Sequence, residues 1–372
     1  MKVLITGSNG FIGRNLKANL LAQKPEVDKI YCFDLDASDQ ELSEFCGNAD
    51  FVFHLAGVNR PEKKEEFYEG NSDLTQKLLG LLEKQQNTCP VLLSSSTQAL
   101  LDNDYGKSKK QAEDLVIAYG EKHGIPVYVY RLPGVFGKWC RPNYNSVVAT
   151  FCHKVAFGEQ VTINGRETPI KLVYIDDVVR DFLTAMEGNK AQNRDGFCEV
   201  PITHDTTLGK LADTIEAFRD SRDLLSVSDM SDHFTKKLYS TYLSYLPEDK
   251  FSYAPKTHTD SRGSFTELIK TPDRGQISVN VVKPGITKGQ HWHNTKTEKF
   301  IVVSGEGVIR FRRIGSSQCI EYAVSSNRIE IIDIPVGYAH NIENTGNADL
   351  VFIIWCNEIF DPESPDTLYE EV

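Results

Sequence analysis

The sequence predicts an α/β domain built on a doubly wound parallel sheet, followed by an all-β barrel. In the first part of the chain, short apolar runs such as VLIT (3–6) alternate with helix-like stretches such as 71–83 and 108–123, which is the rhythm of β-α-β units. After residue 250, strand-like segments follow one another closely and glycine turns recur, as in SGEG (304–307), a pattern typical of a sandwich or barrel. A chain of 372 residues suits two domains, which we predict at 1–245 and 246–372.

Composition argues against several classes of partner. The formal net charge is −11, whereas nucleic-acid binding needs clustered Lys and Arg. No apolar run approaches the ~20 residues that cross a bilayer, and the N-terminus leads directly into a strand and a glycine turn, unlike a signal peptide. The eight cysteines are scattered without a C-x-x-C pair. We therefore predict a reduced, cytoplasmic protein without a membrane or nucleic-acid partner.

A glycine-rich turn follows the first predicted strand. The segment VLITGSNGFIGRNL (3–16) places Gly7, Gly10 and Gly13 between that strand and a helix start. Glycine lets the backbone approach a pyrophosphate closely, and the helix N-terminus supplies N–H donors and a positive dipole. Asp34 ends the second strand, at about the spacing expected for a carboxylate on the adenine ribose. The turn therefore predicts a Rossmann-like dinucleotide site.

A Y-x-x-x-K pattern lies further along the chain. Tyr105 and Lys109 share one face of a predicted helix, so we expect the ammonium to lower the pKa of the phenol and to help it donate a proton to a carbonyl. The residues Ser94–Ser96 end the strand just upstream and can hydrogen-bond the same carbonyl. This set of groups is suited to hydride transfer.

These features together resemble the extended short-chain dehydrogenase/reductase family of nucleotide-sugar epimerases, dehydratases and reductases. The matching pieces are TGSNGFIG (6–13), DFVFHLAG (50–57), Asn71, LLSSS (92–96), YGKSK (105–109), YRLPGVFG (130–137) and VYIDDV (173–178). The resemblance implies that Ser96 is the catalytic serine, with Ser95 as the alternative, that Tyr105 is the proton donor, and that Lys109 orients the nicotinamide ribose. The implied nucleotide-binding residues are Gly7, Asn9, Gly10, Phe11, Ile12, Gly13, Asp34, Leu55, Ala56, Gly57 and Lys109. Only eight residues separate Ser96 from Tyr105, so we expect a shortened substrate loop there.

Four potential metal ligands lie in the predicted barrel. His291 and His293 alternate along one predicted strand, so their side chains point to the same face. Glu298 begins the next strand, and His340 lies on a distant one. Three imidazoles and one carboxylate suit zinc or another borderline divalent ion, with positions left open for substrate.

The spacing of these ligands resembles the paired motifs of the cupin superfamily. The matching positions are Gly285, His291, His293, Glu298 and Gly305, then Pro335, Gly337, His340 and Asn344. The second motif departs from the pattern because Ile329 replaces its leading glycine. The segment DSRGSFTELIK (260–270) is similar to the opening of cupin-type keto-sugar epimerases. Arg262 can either grip a diphosphate or hold a structural strand pair, and the sequence leaves both open.

Both predicted domains suit a keto sugar as substrate. A C4 carbonyl acidifies the C3 hydrogen, and a metal that holds the enolate oxygen stabilises the charge. Fused in this order, and with RPNYNSVVATF (141–151) and KLYSTYLSYLP (237–247), the chain resembles a family of bifunctional capsule and O-antigen enzymes. That resemblance implies C3 epimerisation of a UDP-4-keto-6-deoxy-HexNAc by the cupin. Reduction of C4 by NADPH then gives UDP-2-acetamido-2,6-dideoxy-β-L-talose, a precursor of UDP-N-acetyl-L-fucosamine.

Several alternatives stay open at this point. Asp34 would repel a 2′-phosphate and favour NADH, although Arg14 can offset this; NADPH is kept from the resemblance. Lys288 and Tyr338 are both candidates for the epimerisation base. The chain can instead be a UDP-sugar 4-epimerase with tightly bound NAD and a dimerising cupin, or a non-enzymatic redox sensor. A homodimer or higher homo-oligomer is expected because both fold types commonly dimerise.

Overall fold

A computed structural model of the protein describes residues 1–193 and 195–372. They form two compact units. The first comprises Met1–Glu216 and His233–Pro247, and the second comprises Ala217–Asp232 and Glu248–Val372. The division predicted between residues 245 and 246 did not anticipate that Ala217–Asp232 groups with the second unit.

The first unit is built on a five-stranded parallel sheet. Its strand order is β2-β1-β3-β4-β5, and every pairing is parallel. The strands are β1 (Lys2–Thr6), β2 (Lys29–Phe33), β3 (Phe51–His54), β4 (Val91–Ser96) and β5 (Val127–Leu132). This order is a doubly wound arrangement, so the predicted fold class of the first part is confirmed.

Apolar side chains cover both faces of this sheet. On β1, Val3 and Ile5 belong to one buried cluster, whereas Leu4 belongs to the cluster on the opposite face. The same alternation separates Phe51 and Phe53 of β3 from Val52. Such continuous apolar strands are typical of a parallel sheet with helices on both sides.

Helices connect the strands of the first unit. Side chains cap the starts of several of these helices: Ser38 forms a capping box with Glu41 before Asp39–Asn48, Asn103 accepts a hydrogen bond from the Gly106 N–H (2.7 Å) before Asp104–His123, and Ser146 accepts one from the Ala149 N–H (3.3 Å) before Val147–Ala156. The helices are α1 (Phe11–Gln23), α2 (Asp39–Asn48), α3 (Glu65–Tyr68), a π-helical turn (Glu69–Asp73), α4 (Leu74–Lys84), a 3₁₀ turn (Thr97–Leu100), α5 (Asp104–His123), α6 (Val147–Ala156), α7 (Ile175–Met186), α8 (Leu208–Asp223) and α9 (His233–Leu243). A small second sheet has the order β6-β7-β8, and its strands are β6 (Gly134–Phe136), β7 (Pro169–Tyr174) and β8 (His204–Thr207).

The second unit contains two antiparallel sheets. One has the order β16-β13-β18-β11-β10-β9 and the other the order β15-β14-β17-β12-β19. After a 3₁₀ turn (Glu248–Lys250), the strands are β9 (Thr257–Asp260), β10 (Gly263–Thr271), β11 (Gly275–Val282), β12 (Thr287–Trp292), β13 (Glu298–Ser304), β14 (Glu306–Arg313), β15 (Cys319–Ser325), β16 (Ile331–Ile334), β17 (Tyr338–Asn344), β18 (Leu350–Cys356) and β19 (Leu368–Tyr369). The predicted all-β, cupin-like second part is confirmed.

The core of the second unit is formed by side chains from both sheets. Phe300 and Phe352 from one sheet and Ile309, Phe311 and Ile342 from the other belong to a single buried cluster. Alternating residues of these strands face this core, which is the arrangement of a closed double-sheet barrel. All eight cysteines lie in the described part of the chain and are free thiols. Within that part, no helix is long and apolar enough to span a membrane.

Candidate functional sites

A cavity of about 490 Å³ opens at the carboxyl ends of the strands in the first unit. In this strand order, the connections leave β1 and β3 in opposite directions, and ligands of open α/β sheets bind outside that point. The predicted nucleotide-binding residues that line the cavity are Gly7, Asn9, Gly10, Phe11, Ile12, Gly13, Leu55, Gly57 and Lys109. The glycine turn therefore faces the cavity that sequence reasoning expected.

Close backbone approach explains the glycines of this turn. Gly7 has a φ of +66°, and a Cβ there would lie 2.7 Å from the Ala56 nitrogen. A Cβ on Gly13 would lie 2.2 Å from the Gly7 carbonyl oxygen. Ala56 itself does not line the cavity; its N–H donates to Thr6 Oγ1 (3.2 Å) and so fixes the loop after β3.

Asp34 lies beside the glycine turn but outside the cavity lining. Its carboxylate accepts hydrogen bonds from the backbone N–H of Asn9 (2.7 Å) and of Leu35 (3.0 Å). Arg14 lines the cavity, and its guanidinium donates to the Trp139 carbonyl (2.7 Å). The guanidinium that we expected to offset the charge of Asp34 is thus engaged with the Trp139 carbonyl, 125 positions away in the sequence.

Ser96 and Tyr105 face each other in the same cavity. Both residues line the cavity, and the interaction with Ser96 tends to lower the pKa of the Tyr105 phenol. The Ser96 hydroxyl also accepts a hydrogen bond from the Gln98 N–H (3.2 Å). Ser95, the alternative serine, instead donates to the Glu113 carboxylate (2.6 Å) inside the protein. The geometry therefore favours Ser96 over Ser95 as the serine that contacts a substrate carbonyl.

Burial dominates the electrostatics of the Tyr–Lys pair. It raises the pKa of Tyr105, and the interaction with Ser96 only partly opposes this rise. The expectation that Lys109 lowers this pKa is therefore wrong for this structure. Burial also lowers the pKa of Lys109 to about 8, while the charge of Glu113 raises it. The Lys109 ammonium donates to the Ser94 carbonyl (2.8 Å).

Asn71 holds the loop that follows β3. Its amide donates to the Val58 carbonyl (3.0 Å) and to Ser108 Oγ (2.9 Å), and its Oδ1 accepts from the Val58 N–H (3.1 Å). A Cβ on Gly57 would lie 2.8 Å from that oxygen. The sequence flagged Asn71 only as part of a family motif. Its position on a π-helical turn, which often marks functional sites, gave no signal in the sequence.

One wall of the cavity was missed as a site by sequence reasoning. It is the segment 139–146, in which the Arg141 guanidinium lies 5.3 Å from the centre of the Tyr144 ring. Trp139 and Asn143 have positive φ angles of 68° and 55°, which non-glycine residues adopt mainly where the surroundings enforce them. Neither angle can be read from the sequence, so no local signal marked this wall.

Four side chains converge in the second unit. Ligand atoms of His291, His293, Glu298 and His340 all lie within 4.8 Å of one another. The Glu298 Oε2 lies 3.5 Å from His293 Nε2 and 3.4 Å from His340 Nε2. The structure therefore brings together all four ligands that the sequence predicted.

The orientation of the imidazoles fits a metal ion. His293 Nδ1 hydrogen-bonds the Asp366 carbonyl, and His340 Nδ1 lies 3.4 Å from the Tyr338 carbonyl. Such bonds place the proton on Nδ1 and leave the Nε2 lone pair for a metal. Among the described residues, neither Nε2 nor the Glu298 Oε2 has a hydrogen-bond partner, although all three atoms are buried. Buried polar atoms are rarely left unpaired, so the donor set fits a divalent cation.

The charges of these groups agree with a ligand role. Burial, together with the neighbouring imidazoles, lowers the pKa of His291 to about 4 and keeps it neutral. Burial tends to raise the pKa of Glu298, but the close approach of His293 and His340 and the charge of Lys296 hold it well below its usual range. Neutral imidazoles and an ionised carboxylate are the forms that bind metals.

A β-bulge positions the first histidine. His291 pairs with His340 across β12 and β17, and the register shifts between Gly289 and His291. Gly289 has a φ of +103°, and the inserted Gln290 has a φ of 67°. His293 lies just beyond the end of β12. The bulge precedes His291, so His291 and His293 still point to the same side as predicted, with His293 placed after the strand end.

The cluster borders a cavity of about 460 Å³ inside the second unit. Lys288 lines this cavity, and its ammonium donates to the Val281 and Ser264 carbonyls (2.9 and 3.2 Å). Tyr338 does not line it and packs against the apolar core. Arg262 lines the cavity and also forms an ion pair with Asp260 (2.7 Å), so both interpretations of this arginine have support.

Comparisons with known proteins cover the whole chain. The model of the NAD dependent epimerase/dehydratase family matches residues 3–197, and that of the polysaccharide biosynthesis C-terminal domain matches residues 258–368. UDP-2-acetamido-2,6-beta-L-arabino-hexul-4-ose reductase of Pseudomonas aeruginosa is 46% identical over 367 residues, which are 99% of this chain and 98% of the relative. The chain belongs to the family of this reductase. The predicted resemblance is thereby confirmed, and the protein is an NAD(P)-dependent enzyme.

Solved structures agree with this membership. This chain is similar to the crystal structure of the capsular polysaccharide assembling protein CapF from Staphylococcus aureus. The TM-score is 0.94, the sequences are 50% identical, and 100% of each chain is covered. UDP-glucuronic acid 4-epimerase from Bacillus cereus, in complex with NAD, has a TM-score of 0.55 and 18% identity over 66% of this chain and 98% of its own. The second likeness concerns the fold alone.

Proposed function

We propose that this chain catalyses two successive steps on one UDP-4-keto-6-deoxy-HexNAc. The second unit epimerises C3, and the first unit reduces C4 with NADPH to give UDP-2-acetamido-2,6-dideoxy-β-L-talose. The observation that carries this proposal is the presence of two complete sets of reactive groups in one chain. Ser96, Tyr105 and Lys109 surround a dinucleotide-type cavity, and a cluster of three histidines and a glutamate borders another. The name of the Pseudomonas relative, a hexul-4-ose reductase, supports the C4 carbonyl of the sugar as the group that is reduced.

In the reduction, the side chains supply the proton and the orientation. The reduced nicotinamide, when bound, provides the hydride that forms the new C4–H bond. Tyr105 donates its phenolic proton to the C4 oxygen, which receives the electron pair of the carbonyl π bond. Ser96 holds the same oxygen through its hydroxyl, and Lys109 orients the nicotinamide ribose. The high pKa of Tyr105 keeps this proton in place at neutral pH.

In the epimerisation, a base removes the C3 proton and the electron pair is delocalised onto the C4 oxygen. Reprotonation from the opposite face inverts C3. His291, His293, Glu298 and His340 would hold a divalent ion, most consistent with zinc, and such an ion supplies positive charge that stabilises the enolate oxygen. Lys288 is the proposed base because it lines the cavity and burial lowers its pKa. Tyr338 loses this candidacy because it lies outside the cavity lining.

Product analysis tests the whole proposal. The purified chain is incubated with a UDP-4-keto-6-deoxy-HexNAc and either NADPH or NADH in deuterated water, and the products are examined by mass spectrometry and NMR. We expect deuterium at C3 and a reduced C4 with the talo configuration. Tightly bound NAD after purification, with no net oxidation of added cofactor, would instead favour a UDP-sugar 4-epimerase. The expected homodimer or higher homo-oligomer stays a prediction that light scattering of the same preparation tests.

A further inference from the structure

One face of α5 carries a third polar residue in line with the Tyr–Lys pair. Tyr105, Lys109 and Glu113 are spaced four residues apart, so they lie above one another on the same side of the helix. Glu113 is fully buried, and Lys109 is almost so. Glu113 lies one helical turn beyond the Y-x-x-x-K pair.

Two successive serines at the end of β4 contact side chains on this face. The Ser94 carbonyl accepts a hydrogen bond from Lys109 Nζ (2.8 Å), and Ser95 Oγ donates to Glu113 Oε1 (2.6 Å). The next residue, Ser96, lines the same cavity as Tyr105 and tends to lower its pKa. Displacement of the Ser95 contact would therefore disturb the reactive groups on either side of it.

Glu113 is held from the opposite direction by an arginine on β5. Arg131 donates to both carboxylate oxygens, from Nε to Oε1 (3.0 Å) and from Nη2 to Oε2 (2.7 Å). The guanidinium carbon lies 3.6 Å from the centre of the Phe197 ring. A two-pronged ion pair that is shielded in this way fixes the position of the carboxylate.

Several charged or titratable groups face the Lys109 ammonium. Glu113 comes from its own helix, on which Tyr105 lies one turn earlier, His54 comes from β3, and Arg131 on β5 acts through Glu113. His54 stays neutral because burial, and secondarily the charge of Lys109, lowers its pKa to about 3. Glu113 is the acidic group whose charge raises the pKa of Lys109.

We propose that Glu113 is a positioning residue of the reductase site, which fixes β4 on α5 through Ser95 and places a negative charge one helical turn from Lys109. This inference rests on the proposed reduction for its kinetic consequences. The carboxylate touches neither substrate nor cofactor and acts through Ser95 and Lys109. It extends the family's Y-x-x-x-K pattern by one helical turn in this chain.

The pH profile of reduction by Glu113→Gln tests the charge. Deprotonation of Lys109, whose pKa lies at about 8, is expected to limit wild-type kcat/KM as pH rises. Without the Glu113 charge, this alkaline limit should move down by about one pH unit, since a nearby opposite charge shifts a pKa by about one to three units and Arg131 screens part of it. Glu113→Asp should restore most of the wild-type limit. Asp114→Asn is the control, because that exposed carboxylate pairs with Lys110. An unchanged limit in Glu113→Gln overturns the proposal.

Two further variants separate charge from position. Ser95→Ala removes the contact with β4 but keeps the carboxylate, so kcat should fall without movement of the alkaline limit. Arg131→Met removes the counter-charge, so the limit should move to higher pH, in the direction opposite to Glu113→Gln. This opposite shift keeps the proposal testable if Glu113→Gln does not fold. A movement of both limits in the same direction contradicts it.

A direct titration distinguishes this proposal from the proposed function. The Lys109 signal is followed by NMR in full-length protein with ¹³Cε-labelled lysine and is assigned through Lys109→Arg. A lower Lys109 pKa in Glu113→Gln or a higher one in Arg131→Met supports the inference even if the wild-type chain reduces no keto sugar. If the wild type does reduce the sugar and the Lys109 pKa is the same in all three proteins, the inference fails and the proposed function stands.

Discussion

At the scale of single residues, proton donation depends on a tyrosine that is kept protonated. Burial raises the pKa of Tyr105, while the interaction with Ser96 opposes this effect. A donor with a raised pKa retains its proton until negative charge develops on the substrate oxygen during hydride transfer. Lys109 contributes its positive charge beside this tyrosine and is itself close to its titration point.

Single substitutions should abolish either the reduction at C4 or the proton exchange at C3 and leave the other reaction intact. Tyr105→Phe removes the proton donor, so we expect reduction to fall by roughly 10²–10⁴-fold, with deuterium exchange at C3 retained. His291→Ala should abolish the exchange and leave reduction of an already epimerised substrate. NMR of the sugar protons measures both. Tyr119→Phe is the control, because this tyrosine lies on the same helix and donates to the Asn87 carbonyl (3.1 Å) outside the cavity. Loss of both reactions in either variant would contradict two independent sites.

The choice between the two nicotinamide cofactors depends on Asp34. Its carboxylate is held beside the glycine turn by the Asn9 N–H, where negative charge disfavours a 2′-phosphate. We expect Asp34→Asn to raise kcat/KM for NADPH relative to NADH by about tenfold, or ~1.4 kcal/mol. Steady-state oxidation of each cofactor measures this ratio. Asp39→Asn, which removes a carboxylate that pairs with Lys77, should leave the ratio unchanged. An unaltered ratio in Asp34→Asn would show that this carboxylate does not select the cofactor.

At the scale of elements, the bulge in β12 decides whether the metal ligands meet. One extra residue in the strand re-aims the side chains that follow it, and here it sets His291 opposite His340. Gly289 makes this possible, because its φ of +103° and its close contact with the Asn341 backbone exclude a side chain. The bulge is thus part of the site.

Substitution of that glycine should weaken metal binding. In Gly289→Ala the new Cβ would lie 2.9 Å from the Asn341 Cα, and the positive φ costs about 1–3 kcal/mol. We expect β12 to shift and zinc affinity to fall roughly 10–100-fold, as for residues that orient ligands. Competition with a chromogenic chelator measures the affinity. Gly315→Ala is the control, because it has a φ of +80° with no atom within 4 Å of the new Cβ. Equal affinities in the two variants would argue against the bulge as a determinant.

Element types were well predicted where the periodicity was strong. The strands that end in the glycine turn and in LLSSS, the helix that carries Tyr105 and the strand that begins at Glu298 are all present. Features that depend on partners distant in sequence were not predicted. Asp366 approaches His293 from 73 positions away, and Arg131 reaches Glu113 from a neighbouring strand. Such contacts leave no local periodicity, because neither partner needs the other to form its own element.

At the scale of the whole molecule, each unit holds its own cavity. Every residue that lines the cavity beside Tyr105 belongs to the first unit, and every residue that lines the cavity beside His291 belongs to the second. A bound metal contributes free energy to the unit that holds its ligands. Removal of the metal therefore has a different consequence for each unit.

Chelation should destabilise the second unit selectively. An ion present at 100 times its Kd stabilises the native state by ~2.7 kcal/mol, so its removal should lower the melting temperature of that unit on the order of 10 °C. Differential scanning calorimetry of the full-length chain measures this change, and added zinc should reverse it. His291→Ala, which lacks one ligand, should respond much less to the chelator. If the wild type and this variant respond equally, the four-residue cluster is not the metal site.

The sequence by itself determined the order of the two fold types, the glycine turn, the Tyr–Lys pair and the four metal ligands. These depend on local spacing, periodicity and residue chemistry, all of which are visible in one chain. The tertiary structure decided that Ser96 rather than Ser95 faces Tyr105, that burial raises the pKa of Tyr105, and that Ala217–Asp232 belongs to the second unit. Each of these depends on burial and on which distant atoms meet, and those quantities exist only once the chain has packed.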